Sequence, residues 1–366
     1  MKTQAAHYLR YSPAVETIHP GEEEVFQELT DTMLHITRTM ASHYRHAYRP
    51  VHAKSHGLLV GKLTVPGDLP EMLAHGLFAQ AASYPAILRF STNPGDLLAD
   101  SVSSPRGLAV KVLNVPGEML PSHEGSTTQD FVCVNAKVFG AADPAAFLAG
   151  LKTLDKTLEY PEALKQAVST ASRLANLALR AVGVHSGLLD SFGHPFTHIL
   201  GETYSTVGAL RYGSYVAKIA IEPASRNLRA LTGKHVDAGK GFNPLEDAVR
   251  EFFAANNATW NIRAQFALDS DTTPIEDLSK EWPEDLTPFQ TVAVLTVEAQ
   301  DSYSDARQVF VDEQLSFSPW HGLAAHQPLG GIMRSRRAAY EAAQKFRAQR
   351  NMRPRVEPFR IEEVPR

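Results

Sequence analysis

The chain has 366 residues, 43% hydrophobic and 21% charged, with a formal net charge of -4 at pH 7. That length allows one large domain or two ordinary ones, with a core big enough to bury a cofactor, and the charge balance argues against a general nucleic-acid binder, which carries a basic excess. No apolar run reaches the roughly 18 residues needed to span a bilayer; Cys133, the single cysteine, excludes an intramolecular disulfide and points to a reducing cytoplasm. The N-terminal MKTQAAHYLRYSP has no apolar h-region, so no secretory signal is read there, although export of a folded protein to a periplasm leaves little trace.

In chain order, residues 22–45 set Val25, Phe26, Leu29, Met33, Ile36 and Met40 at helical spacing behind an acidic first turn, which predicts an amphipathic helix packed on something larger. Residues 58–65 have strand character and end at Pro66 and Gly67. Arg49 and His52 lie in the irregular entry to that strand. Such a histidine is commonly a turn residue; as a functional group it would act as general acid and base on a small oxygen substrate, provided its tautomer is fixed. Residues 86–92 read as a strand whose period of two puts Ile87, Arg89 and Ser91 on one face and Leu88 and Phe90 on the other. That polar face is either an edge strand's wet side or the wall of a pocket.

A Pro-Arg-Gly turn ending at Gly107 feeds a strand over 108–115, and residues 130–139, with Asn135 inside, read as another. Asp143 followed by Pro144 is a helix start, N-cap then N1, with Phe147 directed inward. Residues 151–182 are helical and Ala/Leu-rich, interrupted at Pro161. Residues 203–222 alternate as two strands, and 259–268, 291–299 and 307–317 are further strand candidates. Eight to nine strands joined mostly without regular helices favour an α+β arrangement built on an antiparallel barrel. The tail, 351–366, has disordered character.

Residues 334–347, RSRRAAYEAAQKFR, follow a loop punctuated by Pro319, Pro328, Gly330 and Gly331. As a helix they put Arg336, Tyr340, Gln344 and Arg347 on one face. A guanidinium one turn before a tyrosine holds a fixed positive charge near the phenol oxygen, which favours a phenolate and, through it, a ferric iron. The plain alternative is a solvated basic helix with one tyrosine touching the core. Among haem proteins, tyrosinate is the axial ligand associated with catalases.

Together these segments resemble a catalase of the haem-containing barrel type, in order and over most of the chain from Arg49 to about Arg347. RPVHAK resembles the family's distal-histidine segment, ILRFST its Arg-Phe-Ser-Thr strand, and SSPRGLAVKV its Asp-Pro-Arg-Gly-Phe-Ala-Val-Lys stretch. DFVCVNAKVF is similar to Asp-Leu-Val-Gly-Asn-Asn-Thr-Pro, and IEDLSKEWPEDLTPFQTVAVLTV to the Asp-Leu-Thr-Lys-x-Trp-Pro segment. FSPWHG and RRAAYEAAQKFR occupy the place of the Arg-x-x-x-Tyr helix.

The resemblance implies an antiparallel eight-stranded β-barrel with surrounding helices, in one domain over 1–366. Its parts would be an N-terminal arm and helix (1–48), the barrel (49–325) with a helical insertion near 144–200, the Tyr340 helix (326–350) and the tail. It implies Tyr340 as iron ligand, Arg336 stabilising the phenolate, His52 as distal acid and base, and Ser91 as partner of its other ring nitrogen. Arg49, Arg89 and Arg347 match positions that pair with haem propionates, where guanidinium suits carboxylate. Phe147 matches an aromatic on the distal face, and Val51 is the apolar neighbour of His52 in the cofactor pocket. Asn135 is the candidate for the distal amide that orients peroxide. Aligned without a gap, however, it falls on the second Asn of the family's pair and Val134 on the first. Either a bulge re-aims Asn135 or the distal amide is absent.

With no Cys-x-x-Cys-His, the haem implied is of b type, held non-covalently. The chain is shorter than typical catalases and resembles the minimal catalase-related haem proteins. Ser104 stands where the family has an acid in its access channel, Leu108 where it has Phe, and Glu284 where long members have a histidine near an NADPH site. The expectation is a catalase-related peroxidase that reduces hydrogen peroxide or organic peroxides with a small organic donor and disproportionates peroxide weakly. No tight NADPH binding and no nucleic-acid or membrane partner are expected. Missing wrapping segments favour a homodimer over an interlocked tetramer. The alternative is an allene oxide synthase-like rearrangement of fatty-acid hydroperoxides, against which the apolar Val51 counts; a haem-storing or sensing protein without turnover comes third.

Overall fold

The computed structural model describes residues 8–123, 125–181 and 193–366. Nine strands occur among the described residues: β1 (Lys54–Val65), β2 (Ala82–Thr92), β3 (Arg106–Val112), β4 (Gln129–Val134), β5 (Tyr204–Ser205), β6 (Leu210–Tyr212), β7 (Tyr215–Pro223), β8 (Ala258–Phe266) and β9 (Gln290–Val297). All pair antiparallel in the order β5-β4-β3-β2-β1-β9-β8-β7-β6, and β5 also pairs with β7. Eight strands therefore close into a barrel, and β6 continues the β5 edge alongside β7. Closure removes the free edges that an open sheet would expose.

The period-two pattern supplies the barrel core. Leu59, Leu63, Leu88, Phe90, Val110, Phe131 and Trp260 belong to one buried cluster. Ile87 turns the other way, into a cluster with Leu58, Phe310, Leu315 and Val364. Arg89 and Ser91 share the Ile87 side, as alternation requires.

Helices cover that side. In α1 (Glu22–Tyr44), Leu29, Met33, Ile36 and Met40 form a stripe that packs with Leu148 and Leu151 of α2 (Pro144–Lys156) and Ala339 of α5 (Gly331–Arg350). Each such side chain, fully buried, contributes about 1.5–3 kcal/mol, enough for the seam to hold α5 against α1. Asp143 caps α2 as expected, its Oδ1 accepting from Ala146 N at 2.8 Å. The 151–182 pattern divides between α2 and α3 (Glu162–Ala181), with Val182 outside the described residues. The remaining long helix is α4 (Pro244–Phe253). Among the described residues no helix is long and apolar enough to cross a membrane.

The start of α5 is anchored by charge. Gly330 N donates to Glu16 Oε1 and Gly331 N to Glu276 Oε2, both at 2.7 Å. Arg334 pairs with Glu16 (2.6 Å), Glu22 (2.5 Å) and Glu276 (3.3 Å). Carboxylates at a helix N-terminus complement its dipole, so the position of α5 is set about two to three turns before Tyr340.

Three sequence expectations fail here. Residues 307–317 are a helical turn, Asp305–Val309, followed by a wider turn over Phe310–Gln314. Ser304 Oγ caps it by accepting from Arg307 N (3.1 Å), and Phe310, Val311 and Leu315 bury themselves at helical rather than alternating spacing. The tail is ordered against the barrel: Val356 N donates to Gln314 O (3.0 Å), Val364 is buried, and Glu357 pairs with the buried Lys111. The strand expected over 130–139 stops at Val134, where its partner strand begins at Arg106.

Candidate active site

One large cavity, with roughly 1200 Å³ of empty space including its mouth, lies between the helical layer and β1–β4. Of the predicted residues, Arg49, Val51, His52, Arg89, Ser91, Phe147, Arg336, Tyr340 and Arg347 all line it; Asn135 does not. Predicted residues from four separate segments thus meet on a space of cofactor size.

His52 sits just before β1 with a left-handed backbone, φ 51°, a conformation uncommon outside glycine. Three contacts hold it there. Its N donates to Asn93 Oδ1 (3.1 Å), its carbonyl accepts from Arg89 Nη2 (2.8 Å), and Nδ1 lies 3.3 Å from Ser91 Oγ. Burial, helped by the Arg89 and Arg336 charges, lowers its pKa to about 3. The imidazole is therefore neutral at ordinary pH, and with the proton on Nδ1, Nε2 is a free base. Gly107 of β3 makes room for the ring: a Cβ there would lie 2.8 Å from His52 Nδ1 and 2.9 Å from Ser91 Oγ.

On α5, Arg336 Nη2 donates to Tyr340 Oη at 2.6 Å, the geometry that the four-residue spacing predicts. Phe147 meets Phe139 edge-on, with centroids 5.1 Å apart, and Val51 packs against the α1–α2 cluster.

The three remaining arginines crowd one end of the cavity. Arg49 pairs with Asp312 (3.2 Å) and donates to Val311 O and Leu315 O (2.5 and 2.8 Å). Arg89 approaches Asp312 at 3.8 Å. Arg347 is buried yet makes no ion pair among the described residues, and neither Arg89 Nε nor Arg347 Nε has a hydrogen-bond partner. Burial and the Arg49 charge push Arg89 down to about 9, and the same two causes push Arg347 well below its usual value; Asp312 only partly opposes them. Three cations facing one carboxylate leave a buried excess of two positive charges. A group bearing two carboxylates would compensate it.

These observations fit a haem. A phenol oxygen, a neutral imidazole and apolar walls share the cavity, and the unbalanced arginines match two propionates. Asp312, Asn93 and Gly107 contact the candidate site residues and were not singled out from the sequence. Gly107 was signalled by the Pro-Arg-Gly turn; Asp312 fell in a segment read as strand.

Asn135 is a correction. Its Oδ1 accepts from Arg106 N (2.8 Å), and its Nδ2 donates to Glu202 Oε2 (3.2 Å) and lies 3.0 Å from His194 Nε2. Glu202 in turn pairs with Arg106 at 2.7 Å. The side chain caps the start of β3 inside a charged cluster, and Val134, Val132 and Cys133 line the cavity instead. Of the two possibilities left open by the sequence, the structure has the one without a distal amide from this residue.

A family model for Catalase matches residues 16–354. Among solved structures, the chain is similar to a fungal catalase (17% identity, TM-score 0.59, covering 89% of this chain and 68% of that one). It is similar to catalase A from Saccharomyces cerevisiae (19%, 0.58, 84% and 63%) and to a bacterial catalase (17%, 0.58, 89% and 64%). At these identities the likeness is one of fold, and the chain spans about two thirds of the length of those proteins.

Proposed function

The chain belongs to the catalase family, and on that footing we propose that it is a haem b-dependent peroxidase that reduces hydrogen peroxide or organic peroxides at the expense of a small organic donor, with weak catalase activity. The observation that carries the reading is a single cavity lined by Tyr340, whose Oη is bonded by Arg336, and by a His52 that burial keeps neutral.

Haem, when bound, supplies the redox-active iron that takes up the two oxidising equivalents of a peroxide. The chain's own residues do the rest. Tyr340 Oη, which accepts from Arg336 Nη2, would hold the iron. Arg49, Arg89 and Arg347 would pair with the propionates. His52 Nε2, a neutral base, would accept a proton from the peroxide and return it to the oxygen that leaves as water or alcohol, with Ser91 against Nδ1. An apolar Val134 with Asn135 turned away leaves His52 without an amide from that strand, which supports slow disproportionation. Glu284, ion-paired with Lys137 at the surface (2.7 Å), offers no cation to a nicotinamide phosphate. A homodimer and a cytoplasmic location belong to the same proposal.

The test is to load the protein with haem and supply hydrogen peroxide with and without a phenolic donor. Donor oxidation should outpace oxygen evolution. Vigorous oxygen evolution with no oxidation of bulky phenols would contradict the peroxidase assignment, and loss of diene absorbance from a fatty-acid hydroperoxide without any donor would favour the rearrangement chemistry.

A further inference from the structure

Two arginines on the same helix are treated in opposite ways. Arg334 is surrounded by Glu16, Glu22 and Glu276. Arg336, two residues on, has no carboxylate within ion-pairing distance among the described residues. Its Nη2 is spent on Tyr340 Oη (2.6 Å), and its Nη1 meets the thioether Sδ of Met333 at 3.4 Å. A thioether is a weak acceptor with no charge, so it can orient a guanidinium without neutralising it.

Met333 is not free to do otherwise. It is buried, and its carbonyl accepts from Trp320 Nε1 at 2.7 Å. Its side chain presses on the turn between β5 and β6, where a Cβ on Gly208 would lie 2.6 Å from Sδ and 2.7 Å from Cγ. That turn holds Val207 at φ 48°, a left-handed conformation that is strained for a β-branched residue. The strained turn thus brings a bare glycine backbone against the sulfur, and the sulfur against Arg336.

We propose that Met333 is a positioning residue for the Tyr340 ligand: its neutral thioether, clamped by Gly208, fixes Arg336 Nη2 on the phenol oxygen and leaves the whole guanidinium charge facing the phenolate. The proposal rests on Tyr340 being the haem ligand. An uncompensated cation beside the phenolate withdraws electron density from the bound iron, so it raises the ferric/ferrous midpoint potential. A carboxylate in place of the thioether would cancel that charge, and loss of the thioether would let the guanidinium drift.

The experiment is a spectroelectrochemical titration of the haem-loaded full chain, wild type against Met333→Glu and Met333→Ala. Both variants should move the midpoint to more negative potential, Met333→Glu further than Met333→Ala, with a matching displacement of the phenolate-to-iron absorption band. A wild-type potential in Met333→Glu overturns the proposal; if that variant does not fold, a wild-type potential in Met333→Ala does so alone. Absence of any phenolate-to-iron band in the haem-loaded wild type removes the ligation reading, and the proposal with it, whereas an intact band with unmoved potentials removes only the proposal.

Discussion

Replacing Gly107 with alanine adds one carbon against the imidazole of His52. Built on the present backbone, the new Cβ lies 2.8 Å from Nδ1, 2.9 Å from Cε1 and 2.9 Å from Ser91 Oγ. Comfortable contacts begin at about 3.5 Å, so ring or strand must retreat by roughly 0.6 Å. The ring cannot do so freely, because Asn93 and Arg89 hold the backbone N and O of His52 and Ser91 holds its Nδ1. Two effects then compete. In a strand of ordinary backbone, glycine to alanine stabilises by about 0.4–1 kcal/mol through the unfolded chain, whereas overpacking costs about 1–3 kcal/mol. Overpacking wins, for a net loss of about 1–2 kcal/mol. A base displaced by a substantial fraction of an ångström should also slow the reaction with peroxide by about 10- to 100-fold. Stopped-flow mixing of the haem-loaded Gly107→Ala variant with hydrogen peroxide, beside a urea titration, measures both. A variant at least as stable as wild type and reacting within about twofold of its rate would refute the argument that Gly107 exists to seat His52.

Arg347→Met removes a buried, unpaired cation, so the haem-free protein should gain on the order of 1 kcal/mol or more in stability while haem affinity falls; melting with and without haem reads both, and a loss of apo stability would contradict the charge excess. His52 has a folded value of about 3, and burial first of all lowers His198 and His326 to about 4. The unfolded chain takes up these protons as pH falls through about 6.5 and the folded chain does not, so stability is intact above about pH 6.5 and declines toward pH 4, by several kcal/mol in all. Urea midpoints that stay level from pH 7 to pH 4.5 would show that these rings are not buried neutral. For the same reason the rate with peroxide should be flat between about pH 5 and 8, and an acid limb near pH 6.5 would mean His52 is solvated.

The parts of the site that follow from local periodicity were legible in the sequence. Arg336 and Tyr340 meet because four residues make about one helical turn, and Arg89 and Ser91 share a face because strands alternate. Long-range partnerships were not legible. Asn135 is held by Arg106, Glu202 and His194, two of them about 60 residues downstream, and nothing in the strand-like DFVCVN run announces that β4 ends one residue earlier. Residues 307–317 misled because Val309, Phe310 and Val311 are good strand formers, while the deciding facts, a Ser304 cap and an Arg307 buried against Leu58 O and Pro365 O, belong to other segments. The tail looked disordered because it is poor in apolar residues. Its anchor is the charge of Lys111, an interior residue of β3 that pairs with both Asp130 and Glu357.

The central claim is that the Tyr340 oxygen binds haem iron as a phenolate. Resonance Raman spectroscopy of the haem-loaded protein, excited in its visible charge-transfer band, tests it most directly. Phenolate modes should appear in the wild type and vanish in Tyr340→Phe. Their absence from the wild type, or their persistence in the variant, would contradict it.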